Sequence, residues 1–529
     1  PSGGAVPGAP GAGAPEAPAP VLRLVEDVVA EGGRVSITSP NLTGSVSLTG
    51  GRIDDLILNA YNETLENGSP KIRLLSPRGT KDPYFAQFGW VGANVPLPDH
   101  DTPWTADKTV LSPGNPVTLT WDNGQGLVFK RVIDLDKDFL FTITQRVENH
   151  SGAAVTLNPY GLISRWNTPK SEGLYILHEG PLGVFDGTLN EVGYDEVREA
   201  GNVKHASTGG WVGFTDKYWL TALIPAQDAA MNAAMRYTYA GGVEKYQADY
   251  AGPAMTVQPG GATETKTMFF AGAKKVTLLD AYAENHKIRN FDLAIDFGWF
   301  YFLTKPIFYA LHHIHGVIGN FGVAILLLTV AIKLVLFPLA NKSYVAMSKM
   351  KQLQPELKKL QERFKDDKVR LNQEMMALYK REKANPAAGC LPILVQIPIF
   401  FALYKVLLVT IEMRQAPFFG WIQDLSVRDP ASIWTVFGLV PWNHLAYVPE
   451  FLDIGIWPII MGVTMFLQQK LNPQPTDPVQ AKVFMWLPVL FTFLLAPFSA
   501  GLVIYWAWNN ALSIAQQWLI MRRMGVKVD

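Results

Sequence analysis

A single cysteine, Cys390, among 529 residues excludes an intrachain disulfide and any metal site built from clustered thiolates. Net charge is also lacking. Forty-six Lys and Arg balance 46 Asp and Glu, so bulk electrostatics gives no argument for nucleic acid or for an acidic partner. No phosphate-cradling loop, nucleophile elbow or zinc-binding helix pair can be read anywhere, so bound nucleotide does not visibly drive any work. The expectation is a non-enzyme with no cofactor and no metal. His312 and His315 stand at i and i+3, as two metal ligands do, but no third ligand lies close by in the sequence. An interfacial histidine cluster is the simpler reading.

What is abundant is apolar surface, at 48% hydrophobic and 12% aromatic, and its distribution is uneven. Residues 1–20 are a Pro/Ala/Gly linker. From 21 to 290 the signals are strand-like. VTLTW (117–121), the turn DNGQG (122–126), LVFKRVIDL (127–135) and FLFTITQRV (139–147) read as a meander, with RVSIT (34–38) and SVSLT (45–49) alike. The expected fold is a large antiparallel β-sandwich in one domain, followed by an α-helical transmembrane bundle.

Residues 291–316, rich in aromatics and interrupted by Pro306, suit an amphipathic helix lying in a membrane interface. Five candidate spans follow, at about 317–339, 388–411, 454–469, 483–498 and 500–520. Orientation comes from the basic residues between them. Segment 341–386 has twelve Lys or Arg against six Asp or Glu, whereas 412–453 has two against five. The first is therefore expected in the cytoplasm and the second outside. The tail 524–529 falls in the cytoplasm by the same parity and the β-domain outside, which calls for an export signal or anchor upstream of Pro1. Within 341–386, Met350, Leu353, Leu357, Leu360 and Phe364 recur at helical spacing, and Leu371, Met375 and Leu378 resume it after Asp366 and Asp367. This predicts an antiparallel helical hairpin, with Pro355 near the start of its first helix.

The spans carry narrow polar stripes. Thr329 and Lys333 lie four apart on one face, Gln396 is a lone amide, Thr464 pairs with Gln468, and Tyr505, Asn509 and Gln516 lie near one line. Such stripes face one another or a wet cavity, because lipid cannot satisfy them. The plainer alternatives stand beside this. Lys333 could snorkel to water from a position six residues before Leu339, the amides could be ordinary interhelical partners, and the basic hairpin could be a solvated face.

KMKQLQPELKKLQ (349–361), DDKVRLNQEMMALYK (366–380), NPAAGCLPILVQIPIFFALY (385–404), RQAPF (414–418), MGVTMF (461–466) and SAGLVIYW (499–506) resemble the YidC/Oxa family of membrane protein insertases. The β-domain is similar in placement to the periplasmic domain of Gram-negative members, a supersandwich like that of sugar mutarotases. The resemblance implies a bacterial inner-membrane protein whose five spans enclose a hydrophilic groove, open to cytoplasm and lipid and closed to the outside. Lys333 stands where the family has an arginine. The charge is kept, and the planar five-donor fork is lost. By the same resemblance Thr329, Gln396 and Tyr505 line the groove, with Asn509 on the same stripe, while Ile397 and Phe400 belong to an apolar slide for the client. The hairpin, marked by Lys349, Lys351, Asp366 and Asp367, recruits clients. Implied partners are nascent membrane proteins, the lipid bilayer and the Sec translocon, with the ribosome or the signal recognition receptor as further partners to test. The tail is short, which argues against ribosome docking through it. Two rival readings are a secondary transporter, which the lack of internal repeats disfavours, and a carbohydrate-binding outer module on a passive anchor.

Overall fold

The computed structural model describes residues 6, 22–170, 177–365, 367–382, 391–440, 442, 447–449, 452–472 and 478–524. Most of the 1–20 linker, Asp366, Cys390 and the last five residues of the tail lie outside the described residues. The chain divides into two compact units, Pro1–Asp296 and Phe297–Asp529.

Among the described residues the first unit is two packed sheets, of eleven and nine strands. The eleven-stranded sheet runs from Asn202–Thr208 through Ala230–Ala240, Val243–Ala251, Val155–Trp166, Tyr84–Gly92, Arg52–Asn62, Leu42–Ser47 and Arg34–Thr38 to Val110–Leu111, the last pairing in parallel. One side of the other sheet is the meander read from sequence, Val117–Asp122, Leu127–Leu135 and Leu140–Asn149, in antiparallel register. Its first turn is chemical in origin. Asn123 Oδ1 accepts from the amides of Gln125 at 2.8 Å and Leu127 at 3.0 Å, and Gly124 takes a φ of 70°. Three short helices, α1 (Val25–Ala30), α2 (Tyr194–Ala200) and α3 (Val276–Asn285), decorate the sandwich.

Leu127–Leu135 alternates buried and half-buried residues without a break. That period places Arg131 on the inner face between Phe129 and Ile133. Its guanidinium lies 4.6 Å from the Trp104 ring centroid, donates to the Gly51 carbonyl at 2.7 Å and also donates to the Phe88 carbonyl. Phe88 belongs to the facing sheet, so one cation ties both layers. Edge-to-face contact of Phe88 with Phe269 and a 2.6 Å bond between the Tyr84 and Thr221 hydroxyls cross the same interface. A Cβ at Gly51, where φ is 60°, would sit 2.4 Å from Arg131 Nη1, so the close approach requires glycine.

The second unit is helical: α4 (Tyr301–Ile318), α5 (Phe321–Val335), α6 (Phe337–Arg363), α7 (Lys368–Arg381), α8 (Leu391–Val409), α9 (Ile456–Leu471), α10 (Pro478–Leu495) and α11 (Ala500–Arg523). Three expectations need correction. The helix expected over 291–316 begins only at Tyr301, because Gly298 takes a φ of 72° that a helix cannot continue. The first span does not run straight to 339. It bends by 70° at Leu336, where Pro338, suited to the first turn of a helix, opens α6. And α6 passes through Pro355 instead of starting near it, with that residue exposed so that water can take the carbonyl its missing amide leaves free. Asp367 caps α7 by accepting from the Arg370 amide at 3.0 Å, and Arg381 meets Glu356 at 3.2 Å across the α6–α7 pair.

Among the described residues no single helix is long and apolar enough to cross a membrane, whereas the bent pair α5 and α6 is, by length and composition. Four side-chain amides (Asn509, Asn510, Gln516 and Gln517) sit along α11 and lower its hydropathy. Helices α9, α10 and α11 pack through Met461, Leu495, Val503 and Ala507, with Trp457, Phe491 and Trp506 closing around them.

Replacing Arg131 with Ala should strip two buried carbonyls of their donor and open a void, costing about 2–5 kcal/mol. A denaturant midpoint for the β-unit unchanged by this substitution would contradict the role given to it. Lys274 is buried and donates to Thr215 Oγ1 at 2.7 Å, and burial pulls its ammonium down to about 8. The unfolded chain holds that proton up to the ordinary lysine range, so between roughly pH 8 and 10 the unfolded state binds more protons than the folded one. Stability attributable to Lys274 should therefore rise with pH across that window. The difference in unfolding midpoint between wild type and Lys274→Met, followed against pH, should show this rise.

Candidate functional site

A cavity of about 310 Å³ opens among five helices of the second unit. Lys333 and Leu336 enter it from the end of α5, Leu339, Ala340, Tyr344 and Met347 from α6, and Val395, Gln396, Ile397 and Phe400 from α8. Gln468 and Asn472 enter from the end of α9, and Tyr505, Trp506, Asn509 and Ser513 from α11. The bend at Leu336 is what brings α6 into this wall, because it turns the helix after Lys333 across the cavity instead of continuing along the α5 axis.

The polar groups form two short chains. Lys333 Nζ donates to Ser513 Oγ at 2.7 Å, and Ser513 Oγ donates to the Asn509 carbonyl at 2.8 Å. Opposite, Gln396 Nε2 donates to the Tyr505 hydroxyl at 3.0 Å. Among the described residues Lys333 meets no carboxylate, and Asn509 Oδ1 is buried without a hydrogen-bond partner. A cation answered only by a hydroxyl, beside an acceptor with no donor, leaves bonding capacity directed at whatever enters. The apolar side of the wall is equally defined. Phe400 meets Trp506 edge to face at 4.8 Å between centroids, and Ile397 is 43% exposed.

Four of the five expected groove residues, Lys333, Gln396, Tyr505 and Asn509, thus meet as α5, α8 and α11 converge, and the two expected slide residues, Ile397 and Phe400, join them. Thr329 does not. It is buried elsewhere along α5, and its hydroxyl donates to the Ile325 carbonyl of its own helix at 2.7 Å. The i, i+4 relation to Lys333 is real, but a long lysine reaches around the helix where a threonine cannot. Thr464 behaves as an ordinary interhelical partner, accepting from Asn510 Nδ2 at 3.4 Å. Sequence reasoning missed Ser513, although it lies four residues after Asn509 on the same stripe, and it missed Tyr344 and Met347, whose entry depends on the bend.

The remaining candidates lie outside the cavity. Lys349 and Lys351 are carried farther along α6, and Asp367 serves as the α7 cap. His315 stacks on Phe321 and His312 on Phe308, and among the described residues no cluster able to hold a metal is found.

A family model described as "YidC periplasmic domain" matches residues 34–310, and one described as "60Kd inner membrane protein" matches residues 313–527. The "Membrane protein insertase YidC" of Methylorubrum extorquens (strain PA1) is 54% identical, covering 100% of this chain and 86% of its own length. That of Beijerinckia indica subsp. indica is 54% identical over 95% of this chain and 84% of its own. A crystal structure of an active YidC insertase aligns at 17% identity over 95% of this chain and 94% of that one, with a TM-score of 0.37, too low to add to the fold described above. Matched along both units, and sharing about half its residues with relatives over nearly its whole length, the chain belongs to the YidC family of membrane protein insertases.

Proposed function

We propose that this chain inserts membrane proteins by lodging a polar part of the client beside Lys333 while the client's apolar segment leaves along α8 into lipid. The observation that carries the reading is the Lys333 ammonium, set in a cavity among apolar helices with a serine hydroxyl as its partner and no carboxylate among the described residues. In the membrane such a charge is costly, and it persists where it meets water or a ligand. A polar tail crossing hydrocarbon loses its hydration at a large penalty, and a wet hollow reaching partway through the membrane shortens the dry distance. Attraction to Lys333 strengthens as the local dielectric falls, so an acidic leader is the client chemistry favoured here. Lysine offers a point charge and no bidentate fork.

Release is apolar. Leu394, Ile397 and Phe401 follow one another along an exposed face of α8, next to the cavity mouth that Ile397 also lines. A client segment sliding along them into lipid gains about 25 cal/mol for each Å² withdrawn from water. No covalent step is needed, so the reading is of a non-enzyme driven by partitioning. In this reading the β-unit lies in the periplasm, the α6–α7 hairpin and the C-terminus lie in the cytoplasm, and the hairpin meets arriving clients. The Sec translocon is a cooperating partner for larger clients.

The test is insertion of a short client with an acidic leader into nucleotide-free proteoliposomes. Lys333→Ala should lower the insertion rate about ten- to hundredfold, the worth of one hydrogen bond to a charged group, whereas Lys333→Arg should stay within a few-fold of wild type. Undiminished insertion by the Ala variant would reduce Lys333 to a snorkelling lysine.

A further inference from the structure

Helices α9 and α10 approach each other at the C-terminal end of one and the N-terminal end of the other, and there they enclose a second cavity of about 330 Å³. Phe466, Gln469 and Lys470 line it from α9, and Ala481, Lys482 and Met485 from α10. Gln469 Nε2 donates to the Phe484 carbonyl, which pins the two helices together at this level. Lys470 Nζ lies 5.2 Å from the Phe466 ring centroid. Among the described residues neither lysine meets a carboxylate.

Lysines placed only by the positive-inside bias need do no more than reach water. Here two of them, from separate helices, converge on one concavity beside the N-terminal turns of α10, whose backbone adds partial positive charge. Exposed apolar residues adjoin the lining along both helices: Leu467 follows Phe466 on α9, and Val483 and Trp486, the latter 64% exposed, follow Lys482 and Met485 on α10. Two ammonium groups in a hollow bordered by exposed hydrocarbon and indole match an amphiphile with a negative head and apolar tails. We propose that this cavity holds the phosphate of an anionic phospholipid between Lys470 and Lys482, with its acyl chains along Val483, Trp486 and Leu467. This rests on reading α9 and α10 as membrane-spanning, and it is independent of any client contact at Lys333.

Native mass spectrometry of the full chain, offered equal amounts of phosphatidylglycerol and phosphatidylcholine in detergent, tests it. Wild type should retain the anionic lipid at least tenfold in preference. Lys470→Gln combined with Lys482→Gln should abolish the preference with helical content unchanged by circular dichroism. Lys349→Gln combined with Lys351→Gln should preserve it, and so should Lys333→Ala, which separates failure of this site from failure of the insertion reading. The proposal is overturned if the double variant at 470 and 482 keeps the preference, if the hairpin pair removes it, or if millimolar inorganic phosphate displaces the lipid, which would mark a free-anion site.

Discussion

The second unit is organised around one constraint: polar groups on helices that are otherwise apolar must find each other or find water. Lys333 is the extreme case. Its ammonium donates to a serine hydroxyl, and that hydroxyl donates to a backbone carbonyl of α11 and also meets Tyr344 of α6, so the bonding sequence reaches no counter-charge. A structure built only for stability would place a carboxylate here or remove the charge, since even a half-buried ion without a counter-charge is a costly feature for a fold to carry. The cavity around it, the amide and hydroxyl of Gln396 and Tyr505 opposite, and the idle acceptor on Asn509 are consistent consequences of leaving that charge available.

The β-unit meets a related problem with the opposite outcome. Arg131 is buried in the sandwich, yet its guanidinium is enclosed by two carbonyls and an indole face, and the cation serves as a clamp between sheets. The contrast lies in enclosure. Arg131 is surrounded by protein on every side, while Lys333 faces a cavity large enough to admit part of another molecule. Burial of charge by itself says nothing about function, and the space in front of the charge does.

Much of the fold was legible in advance because its signals are local. The strand-like run Leu127–Leu135 and the Asn123–Gly124 turn mark a hairpin through residue type and permitted φ, and the strands found there agree with the reading to within a residue or two. Helical spacing marked α6 and α7 in the same way, and an apolar run marked α11. What was not legible was continuity. The chain breaks at Leu336 and continues unbroken through Pro355, although both places carry a nearby proline. Proline forbids one hydrogen bond, and only the surroundings decide whether that loss bends a helix or is met by water.

The candidate site divides along the same line. Sequence by itself determined that Lys333, Gln396, Tyr505 and Asn509 would be polar positions on apolar helices, because one face of a helix repeats every three to four residues and a lone polar group stands out against it. It also singled out Ile397 and Phe400, through a resemblance carried by their motif. Only tertiary structure decided that Thr329 would turn back on its own helix, that Ser513 would be the lysine's partner, and that Tyr344 and Met347 would close the wall. Those outcomes depend on how far a side chain reaches and on the 70° bend, and neither reach across a gap nor the direction of a broken helix is written in the order of residues along one strand of chain.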